Sequence, residues 1–144
     1  MSTMSISQQL FHILDLYKIA LTQEFRRQNI RLSPLHYKVL QLIQSLPQAT
    51  PLLIAQQSGR DKAQVSRLLQ DMEKQGLIEK QPHPSDKRSV CIGLTSQASQ
   101  LFATADQLVA ELDSQLDRSL QPDEQRQLQQ LLLQLKSALG PAQS

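Results

Sequence analysis

The chain has 144 residues, 40% of them hydrophobic and 19% charged, with a formal net charge of +2. That is the size and composition of one globular domain, not of a disordered tail or a disulfide scaffold, and the longest apolar run, Leu52–Ala55, is far short of the roughly 20 residues of a bilayer span. The charge is unevenly spread: residues 95–144 carry 3 Lys/Arg against 6 Asp/Glu, so the surplus of cations lies in the front of the chain, as expected where that part meets a polyanion.

Helical periodicity dominates. Ile6, Leu10, Ile13, Leu14, Tyr17, Leu21 and Phe25 recur at three- and four-residue steps and predict a first helix with one apolar stripe. Ser33-Pro34 reads as N-cap and first helical residue of a second helix, with Val39, Leu40, Ile43 and Leu46 as its stripe and Pro47 as its stop. Thr50-Pro51 repeats that start for a short third helix ending at Gly59. Asp61, with Gln64 as a capping-box partner, opens a fourth helix over Lys62–Gln75 whose inner face is Val65, Leu68, Leu69 and Met72.

The period then changes. Leu77-Ile78 opens an extended segment, Pro82–Ser89 is turn chemistry, and Val90, Ile92 and Leu94 alternate with Cys91 and Gly93 as in a strand with one covered face. These make a β-hairpin. Thr95 caps a fifth helix carrying Leu101, Phe102, Ala105, Leu108, Val109, Leu112 and Leu116. Pro122 starts a sixth with Leu128, Leu131, Leu132, Leu135 and Leu139, and Gly140-Pro141 ends it. The prediction is a mainly α chain, an α+β winged helix-turn-helix with six helices and one hairpin wing, forming one domain over 1–144.

The turn Gly59-Arg60-Asp61 between a short helix and a longer one is the centre of a helix-turn-helix. A major groove about 12 Å wide admits one helix. With the apolar face turned inward, Ala63, Arg67, Gln70 and Lys74 point away, flanked by Gln64 and Ser66. Arg67 suits a guanine edge, and Gln64 or Gln70 an adenine. Because the front of such a helix reaches the bases, Lys62, Gln64, Ser66 and Arg67 rank above Lys74. An ordinary solvated helix face is the competing reading, and the order helix-turn-helix-wing is what tips the balance. The hairpin tip adds His83, Lys87 and Arg88, cations suited to a minor groove. Asp86 either orients Arg88 and tethers the loop or makes one weak surface ion pair.

The stretch from Gly76-Leu77-Ile78 through Asp86-Lys87-Arg88-Ser89 to Leu94-Thr95 resembles the G-L-[IV]-x-R, D-x-R-[S] and L-T pattern of the MarR family, the multiple antibiotic resistance regulators. Leu32-Ser33-Pro34 with Val39-Leu40 is similar to that family's second-helix opening, and Val65-Ser66-Arg67-Leu68-Leu69 to its recognition helix. The chain departs from the pattern at Lys80, where Arg is usual, at Gln121, where a Ser, Thr or Asp cap is commoner, and at Ala98, often Gly. The resemblance implies a homodimeric winged-helix transcription regulator binding a pseudo-palindromic operator, most simply a repressor released by a small effector. DNA contacts would fall on Lys62–Gln70 and on Asp86 with Arg88. Residues 33–94 would be the DNA-binding part, and 5–30 and 95–140 the dimerisation part. The first, fifth and sixth helices do carry more apolar length than one small core needs.

The resemblance also implies small phenolic or lipophilic anionic effectors, bound between the dimer region and the winged helix. By position, Arg26, His36, Tyr37 and the surroundings of Phe102 are candidates, with an ordinary surface or core place as the alternative for His36 and Tyr37. Cys91 would need a nearby cation such as Lys80 or Arg88 to become reactive, and a plain strand residue is the simpler reading. His12, His36 and His83 stand too far apart to form a metal motif, and the isolated glycines form no phosphate loop, so neither metal nor cofactor is expected. No acid–base or nucleophilic set is visible, so no enzyme activity is expected. Met1–Gln9 lacks the basic and apolar blocks of a secretory leader, and one cysteine cannot form an internal disulfide, so the expected location is cytoplasmic. The alternative function is a helical protein–protein interaction module that does not bind DNA.

Overall fold

A computed structural model describes residues 3–140. Among them the elements run α1 (Ile6–Arg27), α2 (Pro34–Ser45), α3 (Pro51–Ser58), α4 (Lys62–Lys74), β1 (Ile78–Pro82), β2 (Val90–Leu94), α5 (Ser96–Arg118) and α6 (Pro122–Leu139). The predicted starts hold for a common reason. Ser33, Thr50 and Thr95 sit in extended backbone and accept the N–H of the third helical residue, satisfying a donor that has no partner inside the helix. Leu46, forced out of helical conformation by Pro47, takes φ −95° and ψ 130° and ends α2.

The core gathers where α1, α2 and α5 meet. Leu21, Phe25, Tyr37, Leu40, Ala98, Phe102 and Ala105 are buried there. Tyr37 stacks on Phe102 at 5.3 Å between centroids and meets Phe25 edge-on at 6.1 Å. Its hydroxyl donates to Asp106 Oδ1 at 2.6 Å, so a buried ring keeps its polar end satisfied. Ile30, Leu32 and Ala49, which lie in connections and belong to no periodic stripe, complete this core.

A second layer carries α3, α4 and the hairpin. The strands pair antiparallel from Ile78↔Leu94 to Pro82↔Val90. The N–H of Ile92 donates to the carbonyl of Ala49 at 2.7 Å, tying β2 to the connection between α2 and α3. That bond corrects the expected alternation. The strand lies against α2 rather than standing free, so Cys91 and Ile92 are both buried, while Val90, at the open end opposite Pro82, is exposed.

One other expectation changes. Asp61 starts α4 but its carboxylate caps nothing, so the box with Gln64 does not form. The front of α1 is not covered within the protomer: Ile6, Leu10, Phe11, Ile13, Leu14, Leu16 and Ile19 are all exposed, and only Leu21 and Phe25 are buried. Helix α6 buries no residue at all. Gly140 ends it at φ +82°, and the companion stop at Pro141 lies outside the described residues.

Gly59 closes α3 in the left-handed region at φ +68°, and a Cβ there would meet nothing within 4 Å. Only backbone strain therefore opposes a side chain. Gly59→Ala is expected to lower stability by about 1 kcal/mol, measured by urea unfolding; an unchanged midpoint would contradict the strained turn.

Candidate nucleic-acid interface

Helix α4 divides cleanly. Val65, Leu69 and Met72 are buried and Leu68 is half-buried, while Lys62, Ala63, Gln64, Ser66, Arg67 and Gln70 are exposed. At 1.5 Å per residue its 13 residues make a rod about 20 Å long. The inner seam holds α4 against the rest of the layer. The outer polar groups of Lys62, Gln64, Ser66, Arg67 and Gln70 are left for solvent or a ligand.

The wing tip, residues 83–89, is wound by its own side chains. His83 Nδ1 accepts the backbone N–H groups of Ser85 at 3.1 Å and Asp86 at 3.0 Å. Nδ1 of His83 thus helps to shape the loop. Asp86 Oδ1 accepts the N–H of Arg88 at 3.0 Å, and Oδ2 accepts the Ser89 hydroxyl at 3.1 Å. Asp86 therefore holds the backbone of Arg88, not its guanidinium, and the ion-pair alternative does not form. Lys87 and Arg88 stay exposed beyond this turn. Lys80 pairs with Glu73 at 3.8 Å, a link between β1 and α4.

The four effector candidates do not come together as one binding surface. Tyr37 and Phe102 belong to the core, where burial and the Asp106 bond push the Tyr37 hydroxyl well above its ordinary pKa of 10. His36 is half-buried, and burial lowers its pKa despite the opposing charge of Asp71. Arg26 lines a groove of about 660 Å³ with Phe25, Ile30, Arg31 and Pro34. A larger groove of about 900 Å³ runs between α1, α2 and the end of α3. Leu14, Tyr17, Leu21, Val39 and Leu42 line it, together with Lys18, Lys38 and Arg60. Nothing in the sequence links these three cations, and only the packing of α1, α2 and the end of α3 brings them to one groove. Among the described residues no cluster of His, Cys, Asp or Glu is suited to a metal ion, and no helix is long and apolar enough to cross a membrane.

An exposed polar helix after a tight turn, beside a cation-tipped hairpin, defines a winged helix-turn-helix DNA-binding protein. The MarR family profile matches residues 32–90. The multiple antibiotic resistance protein MarR of Escherichia coli (strain K12) is 30% identical over 130 residues, covering 86% of this chain and 86% of its own. A mutant MarR from E. coli, solved in complex with operator DNA, superposes with a TM-score of 0.74 at 27% identity, covering 88% of this chain and 91% of its own. The organohalide-sensing regulator RdhR-CbdbA1625, solved with 2,4-dichlorophenol bound, shares the fold with a TM-score of 0.73 at 24% identity, covering 94% of this chain and 82% of its own. The chain belongs to the MarR family of transcriptional regulators.

The Arg88 N–H, followed by the Ser89 hydroxyl, holds the Asp86 carboxyl below its ordinary value of 3.8. A depressed carboxyl stabilises the fold above the unfolded value and loses that contribution as pH falls through the folded one. The Asp86 side-chain carbon shift is therefore expected to titrate with a midpoint below 3.8, with order at the Arg88 amide lost over the same range. A midpoint at or above 3.8 would remove the turn-holding role.

Proposed function

We propose that this regulator binds a pseudo-palindromic operator as a homodimer, with Lys62, Gln64, Ser66, Arg67 and Gln70 in the major groove and Lys87 and Arg88 in the minor groove. The observation that carries the reading is the outward polar face of α4 lying free beside a wing whose tip is wound so that its cations project. Asp86 serves by fixing the turn that carries Arg88. The uncovered leucines and isoleucines of α1 and α6 support the second copy, since apolar stripes of that length bury against something. A two-fold pair would set its recognition helices about 34 Å apart, one duplex turn. Phosphate contacts would make the affinity strongly salt-dependent.

Mobility-shift titrations at several salt concentrations test the assignment. Arg88→Ala is expected to weaken binding to all sequences and reduce the salt slope, with circular dichroism and dimer mass unchanged. Arg67→Ala is expected to cost about 1–3 kcal/mol on the preferred operator and relax base choice. If both variants bind like the parent, the contacts lie elsewhere. Absence of binding to any genomic fragment would favour the interaction module instead.

Repression relieved by a lipophilic or phenolic anion fits the groove between α1 and α2. Its apolar walls suit a ring, Lys18, Lys38 and Arg60 suit a carboxylate or phenolate, and no acidic side chain lines it. Arg60 stands in the turn before α4, so a ligand held there couples to the recognition helix. A phenolic acid at 100 times its dissociation constant is expected to stabilise the protein by about 2.7 kcal/mol. Thermal shift measures this, and Lys38→Gln with Arg60→Gln should abolish the shift. A full shift in that double variant would exclude the groove.

A further inference from the structure

The end of α4 and the start of α5 meet at one residue. Helix α4 closes with the N–H of Gly76 on Glu73 O at 3.0 Å and the N–H of Leu77 on Met72 O at 2.9 Å, with Gly76 at φ +76°. This closure leaves the carbonyls of Gly76 and Leu77 facing away from the helix, and Thr95 takes both. Its hydroxyl donates to Gly76 O at 2.7 Å, and its N–H donates to Leu77 O at 3.1 Å. The same hydroxyl oxygen accepts the N–H of Ala98 at 3.1 Å, capping α5. Thr95 also follows Leu94, the last residue of β2, which pairs with Ile78 at the base of the wing.

Three parts thus converge on a single residue: the C-terminus of α4, the base of the wing, and the first turn of the long helix α5. A cap alone needs only an acceptor. The bond to Gly76 needs a donor as well, and a hydroxyl provides both from a single atom, whereas a carboxylate provides only the acceptor. We infer that Thr95 is a positioning residue, whose hydroxyl donor locks the direction of α4 relative to α5. In a dimer built on the terminal helices this lock would fix the separation of the two recognition helices, and hence the operator spacing the protein accepts; that consequence rests on the dimeric reading above.

The donor and acceptor roles separate by substitution. Thr95→Asp keeps the cap and removes the donor, Thr95→Val removes both at similar volume, and Thr95→Ser keeps both. Spin labels on cysteines replacing the exposed Ala63 of α4 and Ala110 of α5, in a Cys91→Ala background and diluted with unlabelled chain, report the distance within one protomer. A narrow distribution is expected for the parent and for Thr95→Ser, and a broadened or displaced one for Thr95→Asp and Thr95→Val. In parallel, operators whose half-sites are moved apart by one or two base pairs report spacing preference. Thr95→Asp should lose at least about tenfold of the parent's discrimination, a change that lower stability alone would not produce. If the distance distributions of both Thr95→Asp and Thr95→Val match the parent, the positioning role is overturned. If they broaden while the parent itself shows no spacing preference, the role stands and the paired-operator reading fails.

Discussion

Everything that makes this chain a reader of DNA depends on a narrow hydrophobic seam. Val65, Leu69 and Met72 are the buried residues of α4. Each contributes about 1.5–3 kcal/mol of burial, enough together to hold the helix on the layer formed with α3 and the hairpin. Because the seam occupies one side of the helix, the opposite side must be polar and must face out. The outward polar face is thus a by-product of how the helix is anchored. A larger apolar face would sink those polar residues into the protein, and a smaller one would leave the helix loose.

The wing follows the same economy at smaller scale. It has two strands, and such a ribbon is marginal by itself. It gains support from the Ile92 bond to Ala49 and from burial of Ile78, Cys91 and Ile92 against the body. Beyond Pro82 the body no longer helps, and the side chains of His83 and Asp86 provide backbone acceptors instead. The tip can therefore project while keeping a defined turn. In that arrangement a carboxylate next to two cations is no contradiction. Its charge is held by backbone and hydroxyl donors, leaving the Arg88 guanidinium available.

The protomer is unequally finished. The helix-turn-helix half is well covered, whereas α6 contributes nothing buried and the front of α1 exposes apolar side chains over several turns. Two covalently continuous parts, one well covered and one with exposed apolar faces, meet at the α4–α5 junction and along the α1–α2 groove. Those two places border α4 and the turn that precedes it. One is a hydrogen-bonded joint at Thr95. The other is an open, cation-lined cleft that includes Arg60.

Element order and most boundaries were legible in the chain because they are set locally. Ser-Pro and Thr-Pro starts, the glycine at position 59 and the change from helical to alternating period each act within a few residues. The outward set on α4 was legible for the same reason, since a helix of fixed pitch with one apolar side leaves no freedom for the other. The packing of distant segments was not. Tyr37 and Phe102, candidates for a ligand on sequence grounds, stack in the core because α2 and α5 cross there. Cys91 is buried because β2 docks on a loop far away in sequence. Lys18, Lys38 and Arg60 share a groove although they come from three separate segments. Local sequence dictates which face of each element is apolar, but it is the three-dimensional arrangement that decides what each face meets, because burial is a property of pairs of surfaces.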